Sequence, residues 1–423
     1  ALWRGVLFNS FHDILPGTCT EKAMGEQQDE LGAVLHGCRD LEREAALTLA
    51  RRTRIRRQPV PADHPTASRF LIVNPHARPF RGVVELAGML DHRPIWTYAN
   101  RPDEVPLEVR DQAGRPIAFQ ELPPGHNFMR HLPWRKRVAV EVTLPPRTSR
   151  AFTLGWVEGA SRPAVRGAVS GARGGNTIFN GKLRITAKLG AEGLRVLTAR
   201  GPLLPGAGLS AILVADPYGP WGGHYEEPAS LNLNRVLERW KIVDHEVLAQ
   251  GPLRATLWCR LAGRRSHLDL HLHLERGKSH VIAEARLLFL EEKARLKLRL
   301  PGCARADFQV PGGVITRNPQ GEVPGGRWVR ARDNNGRARF LFASDALYGF
   351  NLDRGALHAT VARSSRYTLD VEETEARLFP GEPVIDRGEF RFRFLLGVAD
   401  RSGMAAADFL EEPPLVATLP ASH

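Results

Sequence analysis

The feature that most constrains the fold is a change of hydrophobic pattern near residue 60. Before it, apolar residues recur at the spacing of amphipathic helices, and after it the chain becomes a series of short β-rich runs separated by Pro, Gly and Asn. Gly and Pro number 40 and 31 in 423 residues, above the average of about 7% and 5%. The sequence therefore predicts a mainly β protein with a helical N-terminal piece.

The N-terminal piece is expected to contain two helices. The first covers residues 1 to about 15, and Pro16-Gly17 ends it. Thr18 and Glu21 stand three apart, as in a capping box, and predict the start of a second helix. That helix runs from about 20 to 52, and Gly32 or Gly37 could interrupt it.

The rest of the chain divides by its strand pattern. Residues 53–68 hold three prolines without periodicity and resemble a linker, so the helical segment is placed at 1–58. Residues 69–157 are expected to form a small β-sandwich domain, and residues 176–415 a large C-terminal β-sandwich domain. The predicted architecture is a helical bundle segment followed by antiparallel β-sandwich domains.

Charge and composition exclude several classes of protein. The net charge is +13, but the basic residues are spread along the chain and the dense cluster at 51–57 falls at a helix C-terminus. Nucleic acid is therefore not an expected partner. No run of 18 apolar residues predicts a membrane span. The four cysteines form no CxxC pair, which predicts free thiols and a cytoplasmic location.

The most specific string in the sequence is NSFHDILPGT, residues 9–18. It places His12 beside Asp13 at a helix–turn boundary. Imidazole is a common zinc ligand, and a neighbouring carboxylate can bind a metal, a sugar hydroxyl or the histidine itself. On the residues alone, a local hydrogen bond or a helix cap is the commoner role of such a pair.

This string resembles one found in glycoside hydrolase family 38 α-mannosidases, usually N-Q-F-H-D-I-L-P-G, with Ser10 in place of Gln. The likeness extends from Leu2 to about Gly397 and includes IVNPHARPFRGVVEL, SHLDLHLHLERGKSHV and DRGEFRFRFLLG. The resemblance implies the end of a catalytic domain, a helical middle domain and β-sandwich domains that include a galactose-mutarotase-like supersandwich.

The resemblance also implies an activity. His12 matches the zinc-binding histidine of the family, and Asp13 matches the acidic residue that contacts mannose hydroxyls. The implied reaction is retaining hydrolysis of a terminal α-mannosyl linkage in an α-mannoside or oligosaccharide, with zinc as cofactor and two carboxylates as nucleophile and acid/base. In the family those carboxylates and the other zinc ligands lie upstream of the string, so no catalytic residue is assigned here.

Two consequences follow for the chain by itself. It is expected to be inactive without an N-terminal catalytic domain as its partner. It is also expected to expose apolar surface on its first helix, which favours homo-oligomers. The alternative is a non-catalytic carbohydrate-binding or scaffolding β-sandwich protein derived from such an enzyme.

Two further groups of polar residues are candidate sites. Trp221, His224, Glu226 and Glu227 lie in a Gly-rich stretch whose aromatics could stack on a sugar, although a loop with anchoring aromatics is the simpler interpretation. In the strand predicted over His267–His273, the polar residues His267, Asp269, His271 and His273 share one face. A half-buried strand with its leucines inward is preferred there over a metal site.

Overall fold

The computed structural model describes residues 1–62, 64–90, 105–123, 135–157, 169–171, 174–220, 233–365 and 384–420. Within these ranges three helices are present: α1 (Leu2–Phe8), α2 (Glu21–Arg52) and α3 (Arg401–Glu411). All other regular elements are strands. The prediction of a mainly β chain with a helical N-terminal piece is confirmed.

The strands follow one another with short connections. The first eight are β1 (Ser68–Asn74), β2 (Phe80–Met89), β3 (Leu107–Asp111), β4 (Pro116–Ile117), β5 (Phe119–Leu122), β6 (Arg135–Leu144), β7 (Thr148–Trp156) and β8 (Ser170–Gly171). The next ten are β9 (Thr177–Phe179), β10 (Leu183–Thr186), β11 (Gly193–Thr198), β12 (Gly201–Pro202), β13 (Leu209–Ala215), β14 (Val236–Arg239), β15 (Lys241–Ala249), β16 (Arg254–Ala262), β17 (His267–Glu275) and β18 (His280–Phe289). The last ten are β19 (Ala294–Pro301), β20 (Arg305–Val310), β21 (Gly313–Arg317), β22 (Gln320–Pro324), β23 (Trp328–Arg332), β24 (Ala338–Ser344), β25 (Gly349–Asp353), β26 (Ala356–Ser364), β27 (Gly388–Val398) and β28 (Leu415–Leu419).

The chain folds into two compact units. The larger contains Ala1–Arg39, Gly174–Val247 and Thr256–Glu411, and the smaller contains Asp40–Arg173, Leu248–Ala255 and Glu412–His423. In the smaller unit one sheet has the order β28-β1-β7-β3-β4 and the other β2-β6-β5. Phe70, Leu86, Val140 and Trp156 come from both sheets and share one buried cluster, as expected of a sandwich.

The larger unit is built on two antiparallel sheets. One has the order β22-β25-β26-β19-β13-β11-β10-β9, and the other β15-β16-β17-β18-β27-β24-β23-β20-β21. Phe350 of the first sheet packs edge-on against Phe308 and Phe342 of the second, with ring centroids 5.7 and 6.3 Å apart. Phe342 also stacks on Phe394 at 5.6 Å. These fully buried rings lie between the sheets and form the core of the larger sandwich.

The N-terminal helices differ from their predicted form. Helix α1 ends at Phe8, and hydrogen-bonded turns replace the predicted helix up to Pro16. The cap of α2 is Thr20 and not Thr18, because the Thr20 hydroxyl accepts a hydrogen bond from the Ala23 amide at 3.3 Å. Helix α2 is continuous through Gly32 and Gly37, so neither glycine interrupts it.

Two glycines let α1 approach α2 closely. A Cβ placed on Gly37 of α2 would lie 2.6 Å from Cδ2 of Leu2, and one placed on Gly5 of α1 would lie 2.7 Å from Cγ2 of Val34. Both distances are shorter than a Cβ tolerates, so with alanine at either position the side chain of Leu2 or Val34 would have to shift. Gly37 therefore serves the packing of α1 and does not mark a break in α2.

Helix α1 and the turns after it present apolar side chains to solvent. Five of them are more than half exposed: Trp3, Leu7, Phe8, Phe11 and Leu15. Exposed apolar patches on this scale favour association. We expect the isolated chain to form oligomers at micromolar concentration, as sedimentation velocity would show.

A paired substitution isolates this effect. Trp3→Ser with Leu7→Ser should shift the isolated chain toward monomer, because it removes two of the exposed apolar side chains. Val314→Ser with Ile315→Ser is the matched control, since those apolar residues are also exposed but lie on β21. A wild-type chain that sediments as a monomer would contradict the expectation.

A buried histidine on β18 predicts acid sensitivity. His280 is almost fully buried, and burial together with Lys278 and Lys182 lowers its pKa to about 4, while Asp400 opposes the shift. Between pH 6.5 and 4 the unfolded state therefore binds a proton that the folded state does not, so stability falls as pH falls. At pH 5 this group alone should cost about 2 kcal/mol relative to pH 7.

The measurement is urea denaturation at several pH values. The His280→Leu variant should lose about 2 kcal/mol less than wild type between pH 7 and pH 5. The Ile282→Val variant, on the same strand and with no change of titratable group, should lose as much as wild type. Equal losses in wild type and His280→Leu would show that His280 does not titrate as described.

Candidate functional site

The FHDILPG string forms a compact set of turns directly after α1. The amides of Ile14 and Leu15 both donate to the carbonyl of Phe11, at 3.0 and 3.1 Å. The Thr18 hydroxyl donates to the Asp13 carbonyl at 3.0 Å. Gly17 has a φ of +75°, a left-handed conformation that glycine adopts without strain. The string is therefore held by its own backbone.

The two residues just before the string, Asn9 and Ser10, form side-chain hydrogen bonds with α1 and α2. The buried Asn9 side chain donates to the Glu30 carboxylate at 2.7 Å and to the Gly5 carbonyl at 2.9 Å. Ser10, the residue that departs from the family pattern, is exposed and donates to the Val6 carbonyl at 2.8 Å. The departure at Ser10 therefore lies on the surface of the larger unit.

The predicted site residues His12 and Asp13 lie at the surface beside each other. His12 Nε2 and Asp13 Oδ2 are 3.5 Å apart, and the two side chains are 78% and 41% exposed. The described residues contain no group of three His, Cys, Asp or Glu side chains arranged to hold a metal ion. A catalytic zinc site usually has three protein ligands. The described residues therefore do not form a zinc site by themselves.

A pocket lies next to the string within the larger unit. Its volume is about 280 Å³. One wall is the string and the facing residues of α2: Ile14, Leu15, Pro16, Gly17, Met24 and Gln27. The opposite wall comes from the β-sandwich: Pro220, Arg363, Ser365, Ile385 and Asp386. The string thus borders a cavity with apolar and charged surfaces.

Arg363 is fixed in that pocket by a buried carboxylate. Its Nε donates to Asp216 Oδ2 at 2.6 Å, and its Nη2 donates to the carbonyls of Tyr218 and Gly219 at 3.1 and 2.6 Å. Asp216 is fully buried and also accepts two hydrogen bonds from Arg295, at 3.0 and 2.8 Å. A carboxylate shared by two arginines makes this corner of the pocket rigid.

The remaining polar groups of the pocket are Asp386 and Ser365. Asp386 is exposed and has a φ of +55°, unusual for a residue other than glycine. Neighbouring protein atoms exclude enough water to raise the pKa of Asp386, against the opposing effect of Arg363. The Ser365 hydroxyl is buried without a hydrogen-bond partner among the described residues. A ligand hydroxyl entering the pocket would meet donors and acceptors on one wall.

The alternating strand is structural, as preferred from the sequence. On β17 the four leucines are buried, and the polar side chains face the other way. Asp269 accepts two hydrogen bonds from Arg260, at 2.8 and 2.9 Å. Burial raises the pKa of Asp269, but the hydrogen bonds and charge of Arg260 outweigh it and leave the pKa low. His273 Nδ1 is 3.0 Å from the Thr256 hydroxyl, and no three metal-ligating side chains of the described residues are grouped here to hold an ion.

Trp221, His224, Glu226 and Glu227, considered from the sequence, lie outside the described residues. The four cysteines are free, as expected, and burial raises the pKa of Cys259 and Cys303 to about 12. No helix in the described ranges is both long and apolar enough to cross a membrane.

Sequence reasoning missed Arg363, Asp386 and Ser365. The interpretation of the Gly-rich stretch also gave no role to Asp216. Asp216 lies 147 positions before Arg363, and Asp386 lies 21 positions after Ser365, so the strand order of the sandwich is what brings these residues together. The sole sequence signal is a pair of charged residues next to strand ends, at Asp216 after β13 and Asp386 before β27.

Solved structures with a similar fold include two proteins from Enterococcus faecalis. A glycosyl hydrolase family 38 protein from Enterococcus faecalis superimposes with a TM-score of 0.73 at 15% identity, over 100% of this chain and 55% of that one. An alpha-mannosidase from Enterococcus faecalis V583 gives 0.72 and 15%, over 100% and 53%. The chain has the fold of their C-terminal region. No protein-family model and no curated protein matches the sequence.

The likeness to the family 38 structures confirms the fold predicted from the FHDILPG string. The chain spans about half the length of the solved chains that it matches. At 15% identity the comparison shows the fold alone.

Proposed function

We propose that this chain is the C-terminal portion of a zinc-dependent, retaining α-mannosidase of glycoside hydrolase family 38. In this proposal the larger unit borders the substrate cleft of a preceding catalytic domain. His12 contributes one ligand to a zinc site whose other ligands lie outside the described residues, and Asp13 accepts a hydrogen bond from a mannose hydroxyl.

The observation that carries the proposal is the position of the FHDILPG string. His12 and Asp13 lie at the surface, and a pocket with fixed charged groups opens beside the same turns. The apolar side chains of α1 and Phe11 are exposed on this part of the unit, which is what a surface that packs against another domain would present. The string that resembles the family is thus exposed where a catalytic domain would need it.

The nucleophile and the acid/base are assigned to that preceding domain. Retaining glycosidases need two carboxyl groups about 5–5.5 Å apart across the scissile bond. Asp13 in the string and Asp386 in the pocket are both carboxylates, and the proposal gives neither of them a catalytic role. The chain alone is therefore expected to lack hydrolytic activity.

The test compares the native polypeptide with the 423-residue chain. An antibody to the C-terminal segment would isolate the polypeptide from its source cell for assay with an aryl α-mannoside. We expect a longer polypeptide that hydrolyses the mannoside and an isolated chain that does not. Hydrolysis by the isolated chain, or a native polypeptide of 423 residues without activity, would overturn the proposal.

The second outcome would favour a non-catalytic, sugar-binding protein. In that case calorimetry with mannose oligosaccharides should show binding to the isolated chain, and Arg363→Ala should remove it.

The buried thiols suit a reducing, cytoplasmic location, which we include in the proposal.

A further inference from the structure

A second cavity lies in the larger unit, on the face of the sheet opposite its aromatic core. It has a volume of about 80 Å³, and one water needs about 10–15 Å³ by the same measure. Its lining residues come mainly from β13, β14, β19, β25 and β26, with Leu233 and Asn234 from the segment before β14. It is separate from the pocket beside the FHDILPG string, with which it shares no residue.

Strand β19 lines this sheet face with a row of cations. Arg295, Lys297 and Arg299 alternate with leucines that point into the sandwich core. Side chains at alternate positions of one strand share a face, so the three cations stand in line about 6.6–6.8 Å apart. Buried cations require partners, because isolated charges are costly to remove from water.

One end of the row is fully paired. Arg295 shares Asp216 with Arg363, and it also lies 3.3 Å from Glu322. Lys297 is buried and donates to Glu322 at 2.5 Å and to Asn351 Oδ1 at 2.6 Å. At this end the three cations Arg295, Lys297 and Arg363 share the two carboxylates of Asp216 and Glu322.

The other end carries cations without a carboxylate in contact. Arg299 on β19 and Arg239 on β14 line the cavity, and no carboxylate of the described residues lies within 4.0 Å of either guanidinium. Burial and the nearby charge of Arg239 lower the pKa of Arg299, while Asp353, which also lines the cavity, and Glu192 act in the opposite sense. The lining carries four cations, Arg239, Lys297, Arg299 and Arg354, against the one carboxylate of Asp353, so the field in the cavity is positive.

His358 adds a neutral hydrogen-bond donor. Lys297 donates to Asn351 Oδ1, which leaves Asn351 Nδ2 to donate to His358 Nδ1 at 3.4 Å. The imidazole proton is then on Nε2, for which no described residue serves as acceptor. Burial and the three cations Lys297, Arg299 and Arg239 lower the pKa of His358 to about 3, so the ring is uncharged at neutral pH.

We propose that this cavity binds a small oxyanion, a phosphate or sulfate group, through Arg239 and Arg299. Guanidinium groups match the geometry of these anions and bind them in a bidentate manner. The bound anion would supply the negative charge that the two arginines lack, and His358 would offer a neutral donor to it. The group can arrive as free phosphate or on a phosphorylated sugar.

Thermal unfolding of the full chain tests the proposal. Inorganic phosphate should raise the midpoint above that in NaCl of equal ionic strength, since a ligand that binds only the folded state stabilises it. Arg299→Gln should weaken phosphate binding at least tenfold in calorimetry, and Arg239→Gln should do the same. Arg401→Gln is the matched control, because Arg401 is exposed at the start of α3, which packs against β24 and β27 of the other sheet.

The folding of the variants is checked without phosphate. Removing Arg299 relieves its repulsion with Arg239, so Arg299→Gln should be at least as stable as wild type in NaCl. Arg239 is exposed, so its variant folds even if Arg299→Gln does not. Equal phosphate stabilisation in wild type and both variants would overturn the proposal.

Comparison of ligands identifies the source of the anion. A hexose 6-phosphate that binds more tightly than phosphate would indicate a phosphorylated sugar, and equal affinities would indicate free phosphate. The uncharged hexose should not compete with either. A hexose that binds as tightly as its phosphate would contradict an anion site.

Discussion

In the polypeptide that carries both this chain and its proposed catalytic domain, His12→Ala should abolish most of the hydrolysis of an α-mannoside. Residues that only support a metal ligand already change affinity or activity by about 10–100-fold when mutated. Loss of a direct ligand should cost roughly 100-fold or more in kcat/KM. Zinc content, measured by mass spectrometry after dialysis, should fall in parallel.

The control is a histidine with similar exposure in the same unit. His36 is exposed on α2, and His36→Ala should retain both zinc and activity. Asp13→Asn should keep the zinc but weaken substrate binding, because an amide oxygen is a poorer acceptor than a carboxylate. If His12→Ala keeps its zinc and its activity, His12 is not a ligand and the likeness of the string is one of fold alone.

The second large effect is on stability and concerns Asp216. Asp216→Ala removes the carboxylate between Arg295 and Arg363, of which Arg295 is buried and Arg363 is 24% exposed. Breaking a buried ion pair from one side typically costs 3–5 kcal/mol, because it leaves an uncompensated charge. We expect a loss of about 3–5 kcal/mol in the free energy of unfolding from urea titration.

A second carboxylate in the same unit provides a close control. Glu292 also lies between two arginines, 4.0 Å from Arg265 and 3.0 Å from Arg387, but it is exposed. Surface pairs contribute about 0–1 kcal/mol, so Glu292→Ala should lose less than about 1 kcal/mol. Losses of the same size in the two variants would show that the burial of Asp216 does not govern its contribution.

The sequence predicted the parts of the fold that local patterns determine. The alternation of leucines on β17 predicted which face is buried. The change of hydrophobic pattern near residue 60 predicted where the helices end and the strands begin. It failed at the end of α1 and at the capping residue of α2, whose bounds it predicted correctly. Thr18 and Thr20 are both suitable caps, and only the turn that binds the Thr18 hydroxyl to the Asp13 carbonyl decides between them.

The candidate site was predicted only in part, because some of its residues are brought together by strand order and not by a local pattern. The string containing His12 and Asp13 is contiguous, so its likeness could be recognised from the sequence. The wall opposite it depends on strand order, because β26 and the segment before β27 carry Arg363 and Asp386 to the string from far along the chain. The anion cavity depends on pairing as well, since Arg239 meets Arg299 only through β13, which lies between their strands.

The packing of Gly5 and Gly37 against their neighbours affects the direction in which the His12 side chain points. Helix α1 packs on α2 at these two residues, and only Asn9 and Ser10 separate α1 from the FHDILPG turns. A methyl group at Gly37 would meet Cδ2 of Leu2, so the Leu2 side chain or α1 itself would have to shift, and a shift of α1 would carry the imidazole with it. The direction in which His12 points thus depends on two positions without a side chain, 7 and 25 residues away from it in sequence.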